Sequence, residues 1–216
     1  MKRILAALAV AALTLFPNTS FATTPTPTTA VGSGVQLGGV LSGVSDPHAT
    51  VRFRILDGSN QPMPNSTVDL LLGNCVFFEM RIATTQSFAG MTWDCGSKTA
   101  TAVTDANGEA FFRLRGGALA GPGNPLGMIN PCVAIRADGV LLGTARLSAY
   151  DLDGQNGVNA ADQSLFMATL FAGPPGYRSR ADYNGDGLVN TADLARFLGV
   201  LLAGGSATSA GTPYCF

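Results

Sequence analysis

Charge is scarce in this chain. Asp, Glu, Lys and Arg make up 12% of its 216 residues and the formal net charge is −1, so there is no basic surface for nucleic acid. There is one histidine, His48, and there are two glutamates, Glu79 and Glu109. His48 stands beside Pro47 in a turn. As a general base it needs an oriented partner and a nucleophile, and neither is recognisable. Glu109 follows a turn and is explained by solvent exposure, which leaves no convincing glycosidase pair. The sequence therefore reads as non-catalytic. Cys75, Cys95, Cys132 and Cys215 are the four cysteines, and none stands in a C-x-x-C spacing, which excludes zinc-ribbon and thioredoxin chemistry. Long apolar runs are missing too. The longest, residues 4–16, ends at Pro17 and falls short of the roughly 20 residues that a membrane span needs.

That run has another meaning. Lys2 and Arg3 precede it and Ser20-Phe21-Ala22 follows it, the pattern of a secretory signal over residues 1–22 with a cut after Ala22. An exported chain with an even number of cysteines is expected to form disulfides. Three pairings are open. Cys75 and Cys95 bracket an irregular segment, and pairing them leaves Cys132 for Cys215. Residues 23–30, rich in Thr and Pro, read as an extended leader.

What the chain has in abundance is a repeated pattern of oxygen donors. Residues 182–193 read DYNGDGLVNTAD. Asp182, Asn184, Asp186, Asn190 and Asp193 stand at the first, third, fifth, ninth and twelfth positions, Gly187 at the sixth, and the Leu188 carbonyl at the seventh. This is the spacing of a calcium loop of the EF-hand kind: a hard cation takes six to eight oxygens, and alternate residues of a tight loop point inward. Thirty-one residues upstream, residues 151–162 read DLDGQNGVNAAD. There Asp151, Asp153, Gln155, the Gly157 carbonyl, Asn159 and Asp162 take the same positions. Asn156 replaces the glycine, and asparagine tolerates the left-handed region. Residues 151–173 and 182–204 align without a gap, with ten of 23 positions identical, so one structural unit is used twice. Two calcium ions are expected.

Each loop is followed by a helical pattern, at 163–172 and 194–203, with apolar residues such as Phe166, Leu170, Phe197 and Leu201 at helical spacing. No helix is expected before either loop: Gly173-Pro174-Pro175-Gly176 forbids one before Asp182, and residues 140–149 look like a strand. Two loop-then-helix repeats of this form, spanning about residues 150–205, resemble a type I-like dockerin domain. The resemblance implies binding of two calcium ions and docking to a cohesin-like domain on a scaffold or cell surface. The positions that meet cohesin in that family are here Ala160-Ala161 and Thr191-Ala192, then Met167-Ala168 and Leu198-Gly199. The family's Ser/Thr pair and basic residues are not among them.

Residues 31–149 read as a β-sandwich. Val51, Phe53 and Ile55 alternate with Arg52 and Arg54; Val68, Leu70 and Leu72 alternate again; Ala110, Phe112 and Leu114 share one face. With residues 35–41, 99–104, 133–137 and 140–149 this makes about seven strands. Segments 52–72 and 102–116 resemble bacterial Ig-like domains of the invasin and intimin type, which implies an Ig-like sandwich. Phe77, Phe78, Phe88 and Trp93 are either core or a surface on which a polysaccharide stacks. Residues 206–216 form a tail. The expected fold is mainly β, with an Ig-like sandwich followed by a small α-helical calcium-binding unit. Two readings stand: a secreted adaptor that docks through its calcium repeat, or a self-contained surface, adhesion or carbohydrate-binding protein capped by that repeat.

Overall fold

A computed structural model of the chain describes residues 25–32, 34–41, 44–45, 47–78, 80–118, 131–155, 157–172, 179–203 and 214–215. The expected signal segment lies outside them. Among the described residues no helix is long and apolar enough to cross a membrane.

The alternating stretches become strands: β1 (Pro27–Gly32), β2 (Val35–Gly38), β3 (Val40–Leu41), β4 (Val44–Ser45), β5 (Thr50–Asp57), β6 (Thr67–Leu71) and β7 (Met80–Ala83). There follow β8 (Met91–Asp94), β9 (Thr99–Val103), β10 (Glu109–Ala118), β11 (Val133–Ala137), β12 (Val140–Ala145), β13 (Leu147–Ala149) and β14 (Tyr214–Cys215). One sheet runs β1-β5-β10-β2-β13, with β7 also on β10 and β14 on β7; a second runs β12-β11-β6-β9-β8; β3 and β4 form a small hairpin. Alternation decides the faces. On β5, Val51, Phe53 and Ile55 are buried while Arg52 and Arg54 are exposed. They meet Val68 and Leu70 of β6 and Phe112 and Leu114 of β10 in one core shared by both sheets. The chain is mainly β, as expected.

Several boundaries differ from the sequence reading. Pro27–Gly32 is a strand paired antiparallel with β5, so the second half of the expected leader is an edge of the sheet. The expected strand 35–41 is split into β2 and β3. The expected strand 140–149 is split into β12 and β13 at Arg146: β12 stays in the second sheet beside β11, and β13 crosses to the first, parallel to β2. The end of the expected tail, Tyr214–Cys215, pairs with β7.

The disulfides are Cys75–Cys132 and Cys95–Cys215, with Cα separations of 5.1 and 5.5 Å. This corrects the expected pairing of Cys75 with Cys95 and Cys132 with Cys215. The reason is strand register. β6 and β11 are antiparallel, with Leu71 opposite Ala134, which brings Cys75, just past β6, to Cys132, just before β11. The irregular segment does not close on itself, because β7 joins the first sheet and β8 the second. Two disulfides point to an oxidising compartment.

The repeat grows directly out of the first sheet. Tyr150 donates its backbone N–H to the Leu37 carbonyl at 3.1 Å, and the Asp151 carbonyl accepts from the Ala118 N–H at 2.8 Å. The helices are α1 (Ala160–Ala172) and α2 (Thr191–Leu202), each starting three residues before the expected point. The asparagine at the ninth loop position is the cap that starts them: Asn159 Oδ1 accepts from Ala161 N–H and Asn190 Oδ1 from Ala192 N–H, both at 2.7 Å. In α2 the Asp193 carboxylate returns the bond to the Asn190 N–H, completing a capping box. Between the helices and the sheet lies a second core of near-parallel rings. Tyr150 stacks on Tyr183 with centroids 4.5 Å apart, Tyr183 on Phe166 at 5.9 Å, and Phe166 on Phe197 at 5.1 Å.

Candidate metal centre

The two loops fold on the same hydrogen-bond plan. The twelfth-position carboxylate closes each one. Asp162 Oδ1 accepts from the N–H groups of Leu152 and Asp153 at 2.7 and 3.1 Å; Asp193 Oδ1 accepts from Tyr183 and Asn184 at 2.7 and 3.1 Å. Their Oδ2 atoms accept from Asn159 N–H at 2.8 Å and Asn190 N–H at 3.0 Å. The first-position Oδ1 accepts from the fourth-position glycine in both, Gly154 on Asp151 at 2.6 Å and Gly185 on Asp182 at 2.7 Å. Third-position oxygens hold the fifth-position N–H: Asp153 Oδ1 with Gln155 and Asn184 Oδ1 with Asp186. In the first loop Asn159 also donates from its side chain to the Gly157 carbonyl at 2.9 Å. Asn156 lies outside the described residues. Four glycines of the loops, Gly154, Gly157, Gly185 and Gly187, have positive φ, which they adopt without steric cost.

The plan matches, but the charge does not. In the first loop Asp151, Asp153 and Asp162 bring carboxylate oxygens within 4.8 Å of one another, and among the described residues this is the one such cluster. Two like charges at that distance repel by roughly 3 kcal/mol at an effective dielectric of 20. Asp151 is 2% exposed, and its Oδ2 is buried without a hydrogen-bond partner. Burial first, then the charge of Asp162, pushes the Asp151 carboxyl up to about 7. Burial also raises Asp162, against the pull of three backbone N–H groups. An aspartate with an orphaned buried oxygen, clustered with two further carboxylates, is a donor set of the kind that a hard cation completes. The residues of the first loop therefore fit calcium.

In the second loop Asp182 Oδ2 accepts from Gly187 N–H at 2.9 Å and from Arg146 Nη1 at 3.0 Å. Asp186 is exposed and turned into a local net: it accepts from Leu188 N–H at 2.8 Å and from the side-chain amides of Asn184 and Asn190 at 2.8 and 3.3 Å. The Leu188 N–H and the Asn184 amide hold its carboxyl below the usual range. Burial raises Asp193. The oxygens are those of the sequence motif, and the carboxylates are less closely gathered than in the first loop.

Three residues outside the motif complete the site. Arg146 pairs with Asp182. Gln36 and Arg196 both donate to the Tyr183 carbonyl, Arg196 at 3.0 Å. Only an arginine interrupting the apolar stretch 140–149 hinted at the first. The aromatic residues proposed for sugar stacking separate: Trp93 packs against the main core, and the Phe88 ring lies under the Arg113 guanidinium at 4.5 Å. The side chains of Phe77 and Phe78 lie outside the described residues. His48 is exposed on a helical turn, and its carbonyl accepts from the Tyr150 hydroxyl at 3.4 Å. Glu109 forms a surface ion pair with Arg52 at 3.2 Å. No protein-family model, no curated protein and no solved structure matches the chain.

Proposed function

We propose that this chain is an exported, non-catalytic calcium-binding protein in which an Ig-like sandwich carries a two-loop cap, and that it acts by binding another macromolecule at the cell surface. The observation that carries the calcium reading is the buried, unpartnered Asp151 Oδ2 beside Asp153 and Asp162. The repeated loop plan supports extending it to two ions. When bound, calcium would supply the charge that the clustered carboxylates lack, held by Asp151, Asp153 and Asp162 in the first loop and by Asp182, Asp186 and Asp193 in the second. The cap role is favoured by the fusion of the parts: β13 belongs to the sheet, and Tyr183 donates from its hydroxyl to the Ala149 carbonyl at 3.2 Å. Calorimetric titration of the mature protein tests the calcium reading; no binding at millimolar calcium rejects it.

The docking reading, a dockerin-like repeat on a cohesin-like partner, has its own support. Phe171 is 78% and Leu202 81% exposed, and they occupy equivalent positions near the ends of α1 and α2. Two matching apolar side chains on paired helices suit a protein partner. Calcium-dependent capture by cohesin domains, lost on Phe171→Ser and Leu202→Ser together, is the expected result. Capture that survives both changes, or that ignores calcium, rejects this reading.

A further inference from the structure

We infer that the loops take calcium in a fixed order, the first before the second, because Arg146 already serves as an internal cation at the second. This rests on the calcium reading and assigns each loop its rank. Asp151 and Asp182 are equivalent residues, both buried, and each gives its Oδ1 to a fourth-position glycine N–H. They differ at Oδ2. That of Asp151 is bare, and among the described residues no arginine or lysine stands at ion-pair distance from Asp151, Asp153 or Asp162. That of Asp182 holds the Arg146 guanidinium at 3.0 Å.

The guanidinium also lies over the sixth loop position: a Cβ on Gly187 would come 2.9 Å from Arg146 Nη1. The glycine that the loop needs for its turn is thus also the floor for a competing cation. Arg146 sits where the chain leaves β12 and enters β13, so its backbone is fixed in the sheet and its side chain is delivered to the loop. Calcium entering the first loop relieves repulsion among three clustered carboxylates and satisfies a bare oxygen. Calcium entering the second must replace a charge-assisted hydrogen bond, and it must draw Asp186 in from its bonds with Asn184, Leu188 and Asn190. The second step is therefore weaker by about tenfold or more.

The experiment is a calorimetric calcium titration of the mature protein at fixed ionic strength, with Asp151→Asn and Arg146→Gln beside the wild type. Expected are a tight step lost in Asp151→Asn, and a weak step that Arg146→Gln strengthens by about tenfold without moving the tight one. A wild-type step of one ion only, joined by a second ion in Arg146→Gln, supports the same conclusion. Equal wild-type steps, a tight step that survives Asp151→Asn, or a weak step indifferent to Arg146→Gln would each overturn it. No binding at all would reject the calcium reading itself. Should either variant fold poorly, the wild type answers alone: the ¹⁵N signals of the Arg146 side chain should shift with the second equivalent of calcium. A shift complete with the first equivalent overturns the order.

Discussion

Two loops with one motif stand side by side in this molecule, and their backbones agree. Every bond that the closing carboxylate makes in the first loop is repeated in the second to within 0.2 Å. Their charged surroundings differ. The first loop concentrates negative charge with an orphaned oxygen; the second answers its first-position carboxylate with an arginine from a strand. The comparison teaches that a ligand pattern fixes the path of a loop, while its surroundings fix how strongly the loop needs a metal.

The agreement can be broken most severely at the closing residue. Asp162→Ala and Asp193→Ala each leave three backbone N–H groups without their acceptor and remove a carboxylate that favours the start of a helix. Each should destabilise the protein by about 3 kcal/mol or more, to a similar extent in either loop. Urea unfolding followed by circular dichroism in chelator measures both. A large loss in one and none in the other would show that the shared plan is not what holds the loops.

The difference in charge is sharpened by pH. In the folded chain the Asp151 carboxyl titrates at about 7 instead of its ordinary 3.8. Between those values the unfolded chain has lost this proton while the folded chain keeps it. Stability without calcium is therefore fully present below about 4 and falls as the pH rises to about 7. We expect a decline in Tm of the order of five degrees across that window in chelator, flattened by Asp151→Asn and by added calcium. A slope that is indifferent to Asp151→Asn would remove the proposed source.

A smaller effect separates the second positions, Leu152 and Tyr183. Both are buried in the cap core, but only Tyr183 carries a hydroxyl, bonded to the Ala149 carbonyl. Tyr183→Phe should cost about 1 kcal/mol in thermal or urea unfolding and leave calcium affinity unchanged. The smallest effect is expected at Gln155, whose exposed side chain offers one neutral oxygen that water can replace. Gln155→Ala should weaken calcium binding by about twofold or less, while Asp193→Ala should weaken it far more. Equal losses in the two titrations would contradict the role given to the closing carboxylate.

Much of the fold was legible because its causes are local. Alternation in residues 51–55 and 110–114 identified buried faces, and asparagine at the ninth loop position explains helices that start earlier than apolar spacing alone suggested. Pro27–Ala30 looked like a leader because Thr and Pro suit both extended coil and an edge strand, and only the partner β5 distinguishes them. The cysteine pairing was misread because nearness along the chain was taken for nearness in space, whereas antiparallel register placed Cys75 beside Cys132.

By itself, the sequence determined the two twelve-residue loops, the helices after them and the mainly-β character. Those follow from donor spacing, turn residues and periodicity, which act within a few residues. Only the tertiary structure decided which first-position carboxylate receives an arginine. Arg146 is 36 residues from Asp182, and a charge acts through distance in space. No local pattern encodes that the chain changes sheets at Arg146 and lays its guanidinium across Gly187.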